Sequence, residues 1–481
     1  MTESLPPALL EVREGAVRDL LTWAPDLIEL GEIFQSSGHE IAAVGGCVRD
    51  AVLGEFDRAD IDLTTDAHPE EILKIVEDWA DAVWDVGIRF GTVGLRKGGQ
   101  TWEITTYRTD TYAADSRKPE IRFGKSLDED LIRRDFSINA MAVRLPTGEF
   151  VDQANGLIDL AGRRIRTPGS PEQSFSDDPL RMMRAARFVS QLGAEVTPDA
   201  LAAMKAMADR LSIVSAERVR EELCRLLLGR FPRSGLEVLV DTGLAEQVLP
   251  ELPMLKLEVD EHHHHKDVYE HSLTVLDQAI ELEDGDPDLT LRLAAVMHDV
   301  GKPKTRRFEP GGGVSFHHHE VVGARMTAKR MRKLRFSKEE IDDVSRLVEL
   351  HLRFHGYGTG EWSDSAVRRY VRDAGHLLPR LHKLTRADCT TRNRRRARAL
   401  QRAYDGLEDR IARLAEEEEL ASIRPELDGN QIMSLLGLKP GPEVGQAYQF
   451  LLNLRLDQGP MGTAAAEQAL HKWWAEQQSA K

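Results

Sequence analysis

Two short elements near the N-terminus of this 481-residue chain have residue types suited to phosphate chemistry. Gly45-Gly46-Cys47-Val48-Arg49-Asp50 is followed ten residues later by Asp60-Ile61-Asp62. A glycine pair leading into a turn lets backbone amides approach a phosphate closely. Two acids separated by one residue point the same way if they lie on a strand. Such a pair can bind the divalent metals that phosphoryl and nucleotidyl transfer require. Taken singly, the glycines also read as a plain turn and the acids as a solvated strand. Their order and spacing point to nucleotidyl transfer.

A second cluster begins at Asp178-Pro179-Leu180-Arg181-Met182-Met183-Arg184-Ala185-Ala186-Arg187-Phe188. Asp before Pro is a helix start, with Asp178 as cap and Pro179 at the first helical position. Arg181, Arg184 and Arg187 recur every three residues and drift slowly around one helix face. The arginines could be a solvated face and Asp178 a simple cap. Alternatively, a planar Arg donor and an Asp acceptor three residues apart can read a base edge. Cytosine and adenine both offer an exocyclic amine beside a ring-nitrogen acceptor, whereas uracil and guanine place a carbonyl there. The remaining arginines suit triphosphate oxygens.

The elements that must position these groups divide the chain. Residues 41–165 read as mixed α/β, with short strands at 41–44, 92–95 and 102–107 and a helical stretch near 69–80. From about 168 onward helical periodicity and capping residues dominate. The predicted architecture is therefore α/β plus all-α: a small N-terminal head at 1–167, a helical neck at 168–255, a further helical domain at 256–415 and a helical tail at 416–481. No run of about 18 apolar residues is present, and the N-terminal MTESLPPALLEVREG lacks the pattern of a secretory signal. With three scattered cysteines, a cytoplasmic protein is expected. The net charge of −16 argues against indiscriminate nucleic-acid binding. Two basic runs, RMTAKRMRKLR from Arg325 and RNRRRAR from Arg392, nevertheless suit either an RNA backbone or solvated helix faces.

Taken together, GGCVRD at 45–50, DID at 60–62, the loop around 109–122, RRDFSINAMA at 133–142, DDPLRMMRAARF at 177–188 and ERVREEL at 217–223 resemble the class II CCA-adding enzymes. These are tRNA nucleotidyltransferases closely related to bacterial poly(A) polymerases, and the resemblance spans roughly the first 230 residues. It implies that Asp60 and Asp62 hold catalytic Mg²⁺ and that Gly45, Gly46 and Arg49 contact the nucleotide. It also implies nucleotide contacts from Arg133, Arg134 and Asp135, base reading by Asp178 and Arg181, and phosphate contacts from Arg184 and Arg187. Glu217 and Arg218 match a supporting neck motif, and Glu103 sits where a third carboxylate could assist. The implied reaction adds C, C and A from CTP and ATP to the tRNA 3′ end, releasing pyrophosphate. The 109–122 loop is associated with the switch to A addition. A poly(A) polymerase remains the near alternative.

His271, then His298-Asp299, then Asp388 resembles in order the HD-type metal phosphohydrolases over about residues 265–395. Imidazole and carboxylate together suit a divalent transition metal or Mg²⁺, with the metal identity open. His319 and His351 are extra ligand candidates, as in dinuclear members. The segment LRLAAVMHDVGKP reads as a helix ending at Gly301. The resemblance allows phosphohydrolase activity toward RNA ends. An HD phosphohydrolase with an RNA-binding head is the alternative for the whole chain, and the oligomeric state is left open.

Overall fold

The structure is a computed structural model that describes residues 6–56, 60–84, 87–88, 91–108, 123–124, 126–256, 268–310, 314–356, 362–389, 394–418 and 423–479. The 109–122 loop, the His262–His265 run and the start of the Arg392 run lie outside the described residues. The chain divides into two compact units, Met1–Pro250 and Glu251–Lys481.

The first unit begins with two helices, Pro7–Trp23 and Asp26–Ser36, and holds a seven-stranded sheet of order β3-β4-β5-β2-β1-β6-β7. The strands are β1 (Ile41–Val44), β2 (Asp60–Thr65), β3 (Ala82–Trp84), β4 (Thr92–Lys97), β5 (Gln100–Thr106), β6 (Ala142–Leu145) and β7 (Glu149–Val151). All four residues of β1 are buried, as befits a central strand covered on both faces. In β2 the alternation is functional: Ile61 and Leu63 face the core, while Asp60 and Asp62 keep the other face and stay accessible. β2 pairs in parallel with β5, placing Thr101 opposite Asp60 and Glu103 opposite Asp62.

Two helices place the RRD element and the arginine row. Leu127–Ile132 is capped by Ser126, whose hydroxyl accepts from the Glu129 N–H, and it ends directly at Arg133. Leu180–Leu192 buries Met182, Met183, Ala185, Ala186, Phe188 and Val189, and ends at Gly193. It packs against Ala216–Leu227 and Pro232–Asp241. The helical body also holds two very short strand pairs, Arg164–Ile165 with Glu195–Val196 and Arg307–Phe308 with Val314–Ser315.

In the second unit, Val268–Glu281, Leu289–Met297, His319–Lys333, Lys338–Leu350 and Leu378–Ala387 gather around a common centre. Three terminal helices, Gly429–Leu436, Pro442–Gln458 and Thr463–Ser479, close on a small core of Leu427, Ile432, Leu451 and Leu470.

Candidate active site

Gly45 has φ 73°, ψ −128° and leads into the Gly46–Leu53 helix. A Cβ there would sit 3.2 Å from Arg134 Nη1 and 3.7 Å from Asp62 Oδ2. Glycine therefore serves both the backbone conformation and the close approach to the acids. The turn, the acids and the arginine helix border one open cleft of about 510 Å³. Of the sequence-predicted residues it brings together Gly45, Gly46, Arg49, Asp60, Asp62, Arg134, Asp135, Arg184 and Arg187. Arg133, Asp178 and Arg181 do not line it.

Asp62 is mostly desolvated, which pushes its carboxyl up from the ordinary value; Arg134 opposes this, while Glu103 and Asp60 raise it further. Carboxylates that burden one another in this way are relieved by a divalent cation, so the donor set fits one.

The arginines of the cleft are held by partners that the spacing does not disclose. Arg49 is buried and ion-paired with Asp50 at 2.7 Å, and its Nη1 donates to Asn139 Oδ1 at 2.7 Å. Asn139 in turn donates to Asp135 Oδ1 at 3.0 Å, linking the glycine turn to the RRD element. Arg133 and Arg134 both grip the buried Asp130, at 2.7 and 3.0 Å. Arg184 Nε donates to Asp135 Oδ2 at 2.7 Å, and Arg187 pairs with buried Glu222 at 3.2 Å. Burial, only partly offset by Glu222, pulls Arg187 down to about 10. Asp130, Asn139, Gln191, Glu222 and Arg225 were not singled out from the sequence. Asp130 acts on arginines three and four residues along its own helix end, whereas Asn139 reaches Arg49 and Glu222 reaches Arg187 across long separations that the spacing does not show.

The arginine helix starts at Leu180 with Pro179 at the cap position, one residue later than the sequence implied, and Asp178, just before the cap, accepts the Leu180 N–H through Oδ1 at 3.1 Å. Its Oδ2 takes Arg218 at 2.9 Å. Arg181 donates to Ser174 Oγ at 2.8 Å and to the Arg133 carbonyl at 2.7 Å.

In the second unit, two groups of ligand-type atoms converge. His271, His298 and Asp388 form one, and Asp299, His319 and His351 the other. His271 Nε2 lies 2.9 Å from Asp388 Oδ1 and 3.3 Å from His298 Nε2, and His298 Nε2 lies 3.2 Å from Asp299 Oδ2. His319 Nε2 lies 3.2 Å from Asp299 Oδ1. In His298, His319 and His351, Nδ1 donates to the carbonyl three residues earlier, at 2.8, 2.8 and 2.6 Å. This fixes the ring and tautomer and aims Nε2 inward. The Nε2 atoms of His319 and His351 are buried without a hydrogen-bond partner. Orphaned imidazole nitrogens facing carboxylates fit a divalent metal. Burial and the neighbouring His298 push His351 down to about 3, so it is neutral and ligand-ready. Burial would also lower His298, but Asp299 and Asp388 raise it to about 8.

The helix before this centre stops at Met297 and not at Gly301, with His298 as its cap. Pro303 has no N–H to continue the ladder and instead opens the next helix, Lys302–Thr305. That break turns His298 and Asp299 toward the same centre.

A nucleotidyltransferase head joined to an HD-type metal centre is the class these features define. Residues 41–166 match the Poly A polymerase head domain, 193–255 the probable RNA and SrmB-binding site of polymerase A, and 268–417 the HD domain. The chain is 34% identical to the A-adding tRNA nucleotidyltransferase of Deinococcus radiodurans, over 91% of this chain and 96% of that one. It is 42% identical to the CCA-adding enzyme of Levilactobacillus brevis over 44% of this chain and 52% of that one. It thus spans about half the length of the CCA-adding relatives that it matches at this level. The fold resembles that of the Bacillus stearothermophilus CCA-adding enzyme solved with CTP, with a TM-score of 0.69 and 23% identity, covering 95% of this chain and 99% of that one. The chain belongs to the family of tRNA nucleotidyltransferases that includes the CCA-adding and A-adding enzymes. Among its described residues, no helix is long and apolar enough to cross a membrane.

Proposed function

We propose that the head adds nucleotides to the 3′ end of tRNA without a template, using CTP and ATP and completing CCA. The observation that carries this reading is Asp60 and Asp62 beside the Gly45-Gly46 turn, with Glu103 opposite Asp62 on the paired strand and acting on its charge. In the reaction the terminal tRNA oxygen bonds to the α-phosphorus, the α–β phosphoanhydride breaks, pyrophosphate leaves and the hydroxyl proton is released. Mg²⁺ held by Asp60 and Asp62 would supply a lowered hydroxyl pKa and neutralise the departing charge. The protein's part is positioning. The Gly45-Gly46 amides and the arginine wall receive the triphosphate. Asp135, held well below the ordinary carboxylate range despite its burial by Arg184 and Asn139, keeps Arg184 oriented. Asp178 and Arg181 read the base, which requires Arg181 to leave Ser174 and the Arg133 carbonyl.

One observation favours a second reading, addition of the terminal A alone: the relative aligned over nearly the whole chain is an A-adding enzyme. The poly(A) polymerase reading is not favoured, since the relatives named above act as tRNA nucleotidyltransferases. The test offers Mg²⁺ and CTP, ATP or both to tRNA lacking CCA and to tRNA ending in CC. Two C additions completed by one A support CCA synthesis. Extension of only the CC-ended tRNA assigns A addition, and long A tails would overturn both readings. Replacing Asp178 or Arg181 by Ala should relax C/A selection; unchanged discrimination would leave Asp178 only its bond to the Leu180 N–H at the helix start.

We also propose that the HD centre is a metal-dependent phosphohydrolase acting on RNA ends such as 2′,3′-cyclic phosphates. The inward-facing orphan nitrogens of His319 and His351 support it. Cytoplasmic location follows from this substrate class and from the scattered cysteines.

A further inference from the structure

A second groove, of about 370 Å³, lies beside the catalytic cleft and shares Arg49 and Gln191 with it. Its walls combine exposed Arg163, Arg164 and Arg230 with three of the chain's exposed large apolar side chains, Leu53, Leu228 and Phe231. We infer that this groove receives the single-stranded 3′ segment of the RNA substrate and delivers its terminal hydroxyl to the Asp60–Asp62 cleft. The inference rests on the proposed reading of the head as an RNA 3′-end nucleotidyltransferase.

Phe231 is the key observation. It is 46% exposed, yet it is fixed in place. Its N–H donates to the Ser190 carbonyl at 2.7 Å. Its ring lies so close to Gly193 that a Cβ there would come within 2.9 Å of Cε2. Gly193 also has φ +60°, so glycine serves both the helix end and the seat of the ring. An aromatic ring held against backbone while nearly half its surface stays in water is the chemistry of a base-stacking platform.

The charges agree. Arg164 pairs with buried Asp159 at 3.2 Å and Arg230 with Glu55 at 3.1 Å, and both guanidinium groups remain substantially exposed. Arg163 adopts φ 50°, uncommon for a residue with a Cβ. Among the described residues its side chain has no ion-pair partner. Arg225, in the shared cleft, is likewise without one among the described residues, whereas Arg49, Arg134, Arg184 and Arg187 each hold a carboxylate. In a chain of net charge −16, this is a local concentration of phosphate-seeking groups. The groups proposed to hold the triphosphate, Gly45, Gly46, Arg134, Arg184 and Arg187, line the cleft and not the groove. An oligonucleotide, with one phosphate per base, matches several guanidinium groups beside one exposed aromatic ring better than a second mononucleotide does.

The test compares steady-state kinetics of the wild type, Phe231→Ala, Phe231→Trp and Arg163→Ala on tRNA lacking its terminal nucleotides. Phe231→Ala should raise the KM for tRNA about tenfold and leave the KM for the nucleotide and inhibition by pyrophosphate unchanged. Phe231→Trp should restore the wild-type value, which a merely structural loss would not allow. Arg163→Ala should raise the tRNA KM a few-fold and lower the salt slope by about one phosphate contact. A raised nucleotide KM with an unchanged tRNA KM would give the groove to the nucleotide and overturn the inference. No change in either constant would remove the groove from substrate binding. If the wild type extends no RNA, the reading of the head itself fails. Titration of a fluorescent RNA with a single-stranded 3′ end then decides the groove, because equal affinity of wild type and Phe231→Ala would exclude it.

Discussion

The two candidate metal sites secure their ligands in opposite ways. In the head, the acids stand on a strand beside an open cleft, and the surrounding structure is devoted to holding arginines in place through Asp50, Asp130, Asp135 and Glu222. In the HD centre the ligands themselves are immobilised, with three imidazoles tied through Nδ1 to backbone carbonyls and buried around Asp299. The first arrangement suits a hard, labile cation that arrives with a phosphate substrate. The second suits a resident metal bound by nitrogen. The contrast teaches that one site is organised around the charge of its substrate and the other around its metal.

The sharpest way to break this comparison is to remove ligands on one side only. Asp60→Ala with Asp62→Ala should lower nucleotide addition by roughly 10³-fold or more while phosphohydrolase turnover stays unchanged. Addition retained at near wild-type rate would sink the metal assignment. Asp299→Ala should reduce hydrolysis and bound metal by roughly 100-fold and spare addition. Metal-dependent hydrolysis that persists in this variant would refute the HD assignment.

Stripping and restoring metals sharpens the same contrast. After chelation, Mg²⁺ alone should return addition, whereas hydrolysis should return best with a transition metal such as Ni²⁺, Co²⁺ or Mn²⁺. Identical metal preferences for both activities would erase the distinction drawn here.

The charge-holding network of the head makes a smaller prediction. Burial alone would raise the Asp130 carboxyl, but Arg134 and Arg133 outweigh it and hold it below its usual value. A folded value below the unfolded one contributes stability that is present above about pH 4 and is lost as pH falls through the folded value. Asp130→Asn should therefore cost about 1.5–3 kcal/mol at neutral pH, with the difference from wild type shrinking below pH 4. Denaturant melts at several pH values measure this, and a pH-independent difference would contradict it. Smallest is Arg218→Ala. Losing its partly exposed pair with Asp178 should cost less than about 1 kcal/mol and loosen C/A selection a few-fold, as competition assays with CTP and ATP would record.

Much of the site was legible because its groups are adjacent in sequence. The Asp60-Ile61-Asp62 alternation needs only a strand to place both acids on one side, and β2 is that strand. The HD set was legible as an ordered pattern, and the structure brings His271, His298, Asp299 and Asp388 together with the two extra candidates, His319 and His351. The types of the arginines were also legible, but not their commitments. Arg187 reads from spacing as a phosphate ligand, yet Glu222, 35 residues away, already holds it. Arg49 and Asp135 meet through Asn139, a residue with no local signature.

The sequence by itself determined which residues have the chemistry and which local element each occupies, because strand alternation, caps and proline breaks act over a few residues. Only the tertiary structure decided which charges are spent on one another and which stay available. The parallel register that sets Glu103 opposite Asp62, the seat of Phe231 on Gly193 and the inward aim of the histidines all depend on contacts between distant segments. Pairing energies in a desolvated site follow distance and burial, and neither can be read from separation along the chain.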